Sequence, residues 1–401
     1  MKGITKPKGI GIAAMIAVLL ISAVSAPASA ATSVSIEDAE TVASFYVQYI
    51  PTFIDNYSEW QEATVEQSTV YHNLDGEKSA YAFSVIENGQ YAGYILVSAT
   101  RDNYPILEFS TGRTPNAITE LTTRSETLAQ ERADESGLTA GEAKPLYLGA
   151  TFYYAEYPLI DARGKVADSV VVDLTVPAIV DFGEYRVEIP IDEKDLLEQQ
   201  QMKKQEANAL WDALEEKIKT TSLEGPASSR GLGWISGVPA YILRCGCAPT
   251  AAGMVLMYWD GHGYPNFPDD HNDTIDELGV AMHTGVPPRP DGWTYISDVA
   301  PGIDEVCDNH NYSHFVAQTE SISWNGLKDE VDASRPFVLI MLQGGIGSGH
   351  SQPYGNHAVT GLGYSDYDED YVFIHDTWDE HTHTILYDNW GSGTKMTWVM
   401  P

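Results

Sequence analysis

Positive charge is scarce in this chain. Lys and Arg total 23 against 57 Asp and Glu, a formal net charge of −34 over 401 residues. A surface that acidic repels phosphate backbones and anionic lipid, which argues against nucleic acid and membrane surfaces as partners. Its plainest use is to keep a protein soluble, and its sharper use is a preference for basic substrates. Cysteine is scarce too, with three in all, at positions 245, 247 and 307. Past the first thirty residues no run is apolar enough to cross a bilayer, which takes about 20 residues. What remains is ordinary: 43% hydrophobic and 20% charged residues exclude wholesale disorder. The length is too great for one ordinary core and suggests two globular units.

The N-terminus reads as a targeting segment over residues 1–30. Lys2, Lys6 and Lys8 precede an apolar stretch from Ile10 to Val24, and Ala28-Ser29-Ala30 has the small-x-small form of a signal-peptidase site. An uncleaved anchor is the alternative. The expected mature chain starts near Ala31 and is secreted, extracellular or on the cell surface, with no stable membrane association after signal removal. In an oxidising compartment two of the three cysteines should pair.

The run Arg244-Cys245-Gly246-Cys247-Ala248-Pro249-Thr250-Ala251-Ala252-Gly253-Met254 predicts a buried helix that starts at Cys247. A proline is tolerated in a first turn that has no N–H partner to lose. Unpaired N–H groups and the helix dipole at such a start favour a thiolate, the nucleophilic form of cysteine. Starting the helix at Cys245 instead would move Pro249 out of the first turn, so Cys247 is the better nucleophile. That leaves Cys245 and Cys307 as the expected disulfide. Farther on, Asn356-His357-Ala358-Val359-Thr360-Gly361-Leu362-Gly363-Tyr364 and Tyr371-Val372-Phe373-Ile374-His375-Asp376 read as two strands around an acidic loop. In a hairpin His357 and Asp376 lie side by side. A carboxylate could then orient an imidazole whose other nitrogen faces the thiol, a Cys–His–Asp constellation.

These residues carry a resemblance. Cys-x-Pro-Thr-Ala-x-x-Met followed by Tyr258-Trp259, then Arg335-Pro336 before an apolar strand, then His-Ala-Val-x-Gly-x-Gly-Tyr and His375-Asp376-Thr377-Trp378, resemble papain-like cysteine peptidases. The branch is the one related to bacteriocin-leader-processing peptidases, over roughly residues 231–401. The resemblance implies Cys247 as nucleophile, His357 as general base and Asp376 as orienter. It implies a protein or peptide substrate and neither cofactor nor metal. One departure stands out. The glutamine that such families place about six residues before the cysteine, as an oxyanion donor, is Tyr241 here. The backbone N–H of Cys247 would still serve as one donor.

Before this half, Ser35 to Gln48 has helical spacing, with Ala39, Val42, Ala43, Tyr46 and Val47 on one face. Residues 80–86 and 91–98 flank Asn88-Gly89, a strong hairpin signal. Further strands are expected over 105–110 and 146–154. The order Gly93-Tyr94-Ile95-Leu96-Val97-Ser98-Ala99, then Tyr104-Pro105-Ile106-Leu107, is similar to the propeptides of streptopain-type cysteine peptidases over Ile36 to Pro115. That implies an intramolecular inhibitor, an accessory domain being the alternative. A long polar helix is expected over about 193–220, with a narrow stripe of Ala207, Leu210, Trp211, Leu214 and Ile218. A Gly, Pro and Ser linker follows. The expected layout is a signal peptide at 1–30, a smaller α+β prodomain-like unit at 31–225, and an α+β papain-like domain at 226–401. In the last, the nucleophile helix packs on an antiparallel sheet.

Other features read more plainly. His375, His381 and His383 are scattered surface histidines, since no cysteine pair or Glu-x-x-His supports a metal there. Asp269 to Asp273 reads as a polar loop. The run Asp366 to Asp370 reads as a hairpin tip, lacking the glycine and terminal glutamate of a calcium loop. The glycine-rich run 344–349 reads as a lip of the cleft. The functions left open are a peptidase, a Cys-dependent amidase or acyltransferase on the same three residues, or a catalytically silent binding module.

Overall fold

The computed structural model describes residues 33–180, 182, 193–220, 231–287, 289, 292–342, 356–367 and 369–401. The signal segment, the linker from Thr221 and the glycine-rich run 344–349 lie outside the described residues.

Ser35 starts the first helix, α1 (Ile36–Tyr49), by accepting the backbone N–H of Asp38 at 3.1 Å. The expected stripe of Ala39, Val42, Ala43, Tyr46 and Val47 is buried. Next come β1 (Thr64–His72), β2 (Lys78–Glu87), β3 (Gln90–Ser98) and β4 (Ile106–Ser110). Asn88 and Gly89, at φ 49° and 75°, have the positive φ that a two-residue hairpin turn requires. A helix that sequence reading missed, α2 (Thr119–Glu135), buries only Ser125, Ala129 and Ala133. Small residues leave little apolar periodicity to read. After it run β5 (Thr139–Ala140), β6 (Lys144–Tyr147), β7 (Tyr153–Ile160), β8 (Val166–Asp173) and β9 (Ala178–Val180). The single strand expected over 146–154 is instead two strands, separated by a turn in which Thr151 has φ 63°.

The helix α3 (Glu193–Thr220) is no free spacer. Ala207, Trp211 and Leu214 are buried, and Trp211 Nε1 donates to Asn103 O at 2.9 Å. Lys203 reaches forward to Asp388 at 2.8 Å, so one polar helix binds both halves of the chain. Trp211→Ala should destabilise the full chain by about 3–5 kcal/mol. A lowered urea midpoint with an unchanged far-UV spectrum is the check, and an unmoved midpoint would mean the helix is not docked.

The C-terminal half begins with β10 (Leu232–Trp234) and three helices, α4 (Cys247–Asp260), α5 (His271–Ala281) and α6 (Ile296–Asn309). It continues with β11 (Val316–Ser321), α7 (Trp324–Asp332) and β12 (Phe337–Leu342). The last strands are β13 (Asn356–Ser365), β14 (Tyr371–His375), β15 (Thr382–Leu386) and β16 (Gly391–Met400). Asp270, expected in a loop, caps α5 by accepting the backbone N–H of Asn272. The helix α4 is buried nearly all round and packs on β12 and β13 in a cluster with Val338, Ile340, Ala358, α5 and α6. That is the expected helix on an antiparallel sheet.

One sheet runs through both halves in the order β11-β16-β12-β13-β14-β15-β4-β3-β2-β1-β6-β7-β8-β9, with β10 beside β13 and β5 beside β7. The halves that the sequence divides near residue 225 meet edge to edge inside it. His383 pairs with Ser110, Thr384 with Phe109 and Ile385 with Glu108, antiparallel. Residues 32–401 form one compact unit. Among the described residues no helix is long and apolar enough to cross a membrane.

Candidate active site

Cys247 is the first residue of α4 and is buried. The threonine three residues on explains the loop before it. Thr250 Oγ1 donates toward Arg244 O and Gly246 O, at 2.8 Å each, and accepts the Arg244 N–H at 3.0 Å. This folds Arg244–Gly246 back over the helix start. The loop turns sharply at Cys245, which has φ 61°, and Gly246 N–H donates to Arg244 O at 2.7 Å, a strained three-residue turn. A side chain on Gly246 would run into the carbonyl of Gly292. Thr360 Oγ1 donates to Ala251 O at 2.9 Å and fastens β13 to the same helix. Leu243 N–H donates to Thr377 O at 2.7 Å, tying the cysteine loop to the segment after Asp376.

The sulfur lies near the beginning of β13, where the backbone N–H of Ala358 favours its charged form. The helix start was expected to lower the thiol's pKa. It does not. Burial pushes it up to about 11, the charge of Asp173 adds to that, and the N–H groups of Ala358, Ala248 and Cys247 offset only part. His357 is buried at the start of β13 and pairs with Met341 across the sheet. Burial brings its pKa down to about 4, and neither ring nitrogen has a hydrogen-bond partner among the described residues. Thiol and imidazole are both neutral near pH 7, the reverse of an ion pair ready for attack.

Asp376 follows the last residue of β14, where His375 pairs with Thr360, three residues along β13 from His357, and its carboxylate is engaged elsewhere. Oδ1 accepts the backbone N–H of Trp378 at 2.9 Å and of Asp379 at 3.2 Å. Oδ2 lies 2.7 Å from His383 Nε2. Asp379 Oδ1 is 3.1 Å from the same nitrogen. His383 is thus a fully buried imidazole between two carboxylates, not the surface histidine expected. Burial opposes its charge, yet Asp376, Asp379 and Glu108 raise its pKa well above the ordinary value. Burial pushes Asp376 up to about 6 against the pull of His383. Asp376, Asp379 and His383 offer donor atoms within 4.8 Å of one another. His383 Nε2 hydrogen-bonds Asp379 Oδ1, while Asp376 Oδ2 faces the same nitrogen as an ion-pair neighbour with no hydrogen bond of its own among the described residues. His375 is separate, its Nδ1 3.0 Å from Pro239 O.

Two further expectations fare differently. Tyr241 stacks flat on the His271 imidazole, with ring centroids 4.0 Å apart and an interplanar angle of 7°, and burial pushes its hydroxyl up to about 12. The Cys245–Cys307 disulfide is not formed, for all three cysteines are free thiols. Cys307 faces the core of α4–α6, whereas Cys245 faces outward and donates to Asp276 Oδ1 at 3.0 Å.

Sequence reading missed a contribution from the N-terminal half. After β8 the chain bends at Asp173, whose Oδ1 accepts from Thr175 N (2.7 Å), Thr175 Oγ1 (2.8 Å) and Val176 N (3.1 Å). Val176 packs against the cluster that contains Cys247, alongside Gly292, and the Asp173 charge reaches the sulfur. One acidic residue closing a strand gives no sequence signal of where it docks.

Comparison with known proteins follows the same residues. Residues 235–398 match the Peptidase_C39 like family. No curated protein matches the chain. Among solved structures, a fragment of Prevotella intermedia prointerpain A, in a cysteine-to-alanine mutant form, aligns with 84% of this chain and 98% of its own. The identity is 12% and the TM-score 0.35. The matched stretch, residues 235–398, holds the cysteine helix, the histidine strand and Asp376, and over it the chain is similar to the Peptidase_C39 like family.

Proposed function

We propose that the protein is a secreted cysteine peptidase made as an inactive precursor, in which residues 31–225 inhibit the Cys247 site. The observation that carries this reading is the packing of Val176 against the cluster that contains Cys247, with the Asp173 charge near the sulfur. This segment of the N-terminal half lies against that cluster, and the Asp173 charge adds to the burial that keeps the thiol protonated. The thiol is at about 11, so the thiolate is about one part in ten thousand at pH 7.

In the released enzyme His357 takes the Cys247 proton and the thiolate attacks the scissile carbonyl carbon. The backbone N–H of Cys247 donates to the oxyanion, and a second donation from Tyr241 requires its ring to leave His271. The C–N bond breaks as His357 passes its proton to the leaving amine. Water, deprotonated by His357, then opens the thioester and restores the thiol. Asp376 orients the imidazole through these steps.

Iodoacetamide labelling of Cys247 tests the reading, before and after cleavage of the full chain between residues 221 and 230. Labelling should rise at least about a hundredfold on cleavage, as a buried neutral thiol becomes an activated one. Full casein hydrolysis by an intact chain would refute the precursor reading. A second reading, a silent binding module, draws on the ring nitrogens of His357, unpartnered among the described residues. It predicts that Cys247 stays unreactive after cleavage.

A further inference from the structure

The densest group of buried polar side chains away from Cys247 sits where β4 meets β15. Glu108, Asp376 and His383 are all fully buried there. Tyr94 Oη donates to Glu108 Oε1 and stands 2.9 Å from His383 Nδ1. Glu108 Oε1 itself is 3.8 Å from that nitrogen. On its other side Nε2 hydrogen-bonds Asp379 Oδ1 at 3.1 Å and lies 2.7 Å from Asp376 Oδ2. Tyr94 and Glu108 belong to β3 and β4 of the N-terminal half, while the groups they hold belong to the C-terminal half.

A second pair of contacts crosses the same seam. Arg113 donates its backbone N–H to Asp379 Oδ2 at 3.1 Å and accepts from Trp378 Nε1 at 3.2 Å. The Trp378 ring in turn neighbours both histidines, 6.2 Å from His357 and 5.1 Å from His383 between centroids. The N-terminal half therefore grips the groups that stand around Asp376, while His357 has no hydrogen-bond partner among the described residues.

We infer that Glu108 and Tyr94 hold His383 against Asp376, so that while the N-terminal half is docked the orienting carboxylate belongs to His383 and not to His357. His383 is a positioning residue that acts through Asp376. The inference rests on the precursor reading and on Asp376 as orienter. It adds a second layer of inhibition, since the triad is taken apart at Asp376 as well as kept protonated at Cys247. When β4 leaves, His383 loses Glu108 and Tyr94, and Asp379 loses Arg113. His383 keeps its hydrogen bond to Asp379, and Asp376 can turn to His357.

The titratable groups facing His383 are Glu108, Tyr94, Tyr57 and Tyr91 from the N-terminal half, and Asp376, Asp379 and His375 from its own. The test follows the titration of His357 by NMR in full-length chains with labelled histidine, all carrying Cys247→Ala to prevent self-cleavage. In that background His357 should stay neutral down to about pH 4. Adding His383→Gln, or the near-isosteric Glu108→Gln, should free Asp376 and raise the His357 pKa by at least about 2 units, as a carboxylate partner does for an imidazole. Adding Asp376→Asn to either should cancel the rise, an outcome that a merely structural role for His383 would not produce. An unchanged His357 titration in a folded His383→Gln chain overturns the inference, as does a rise that survives Asp376→Asn. If His383→Gln fails to fold, Glu108→Gln alone decides, and no rise there overturns it. Iodoacetamide labelling of the wild-type site reports on the peptidase reading separately. An unreactive Cys247 would refute that reading without altering the coupling between the histidines.

Discussion

Cys247→Ala should leave a folded chain with no measurable peptide hydrolysis. The loss expected for deleting a nucleophile is on the order of 10⁶-fold in turnover. The fold should survive because the change removes one buried sulfur and leaves a small void, a cost on the order of 1 kcal/mol. His357→Ala should be equally inactive, since base and nucleophile fail together. Cys245→Ala is the informative contrast. Its thiol faces outward onto Asp276, and burial together with that carboxylate pushes it up to about 11. No histidine contact prepares it for attack among the described residues. Cys245→Ala should therefore keep its activity within about threefold, in line with a surface change away from the chemistry. A casein assay on the processed proteins decides the matter. Activity that survives Cys247→Ala but falls with Cys245→Ala would move the nucleophile to Cys245.

The parts of the fold legible in the sequence are those fixed by local chemistry. The α1 stripe, the Asn88-Gly89 hairpin and the stripe of α3 depend on neighbours within a few turns. The pairing of the His357 strand with the strand before Asp376 depends on a single hairpin. Cys247 at a helix start was readable from Pro249, and the structure adds that Thr250 folds the preceding loop. The rest depends on contacts distant in sequence. Nothing local reveals that Glu108 will face His383, because that contact needs β4 and β15 to be neighbours. One signal was available. Glu108 stands in Pro105-Ile106-Leu107-Glu108-Phe109-Ser110, a strand buried throughout, and a carboxylate there must find a partner. The disulfide expectation failed for a related reason. Elimination can leave two cysteines over, but it cannot tell that Cys307 faces a core and Cys245 faces solvent. The lowered thiol pKa failed because a helix start and burial act in opposite directions, and burial won.

That balance leads to the second large effect, at Asp173. Three donors on its Oδ1 favour the charged form, yet burial dominates and raises its pKa from 3.8 to about 6. A carboxyl whose pKa is raised in the docked state binds its proton more tightly there than in the unfolded chain. The resulting stability is fully present below pH 3.8 and is lost as pH rises through about 6. Two units correspond to a ceiling of about 3 kcal/mol, reduced because the side chain is not wholly shielded. Asp173→Asn keeps an acceptor oxygen for the same donors and carries no charge to desolvate. In the Cys247→Ala background it should make the full chain more stable at pH 7.5, by up to about 3 kcal/mol, with the difference vanishing near pH 4. Urea midpoints at the two pH values measure this directly. On the proposed precursor reading, the wild-type chain should process itself faster above pH 6 than below it, as the Asp173 segment becomes costlier to keep buried. Identical pH profiles for Asp173 and Asn at that position would show that the carboxyl ionises in place without penalty, and the segment would then hold by packing of Val176 alone.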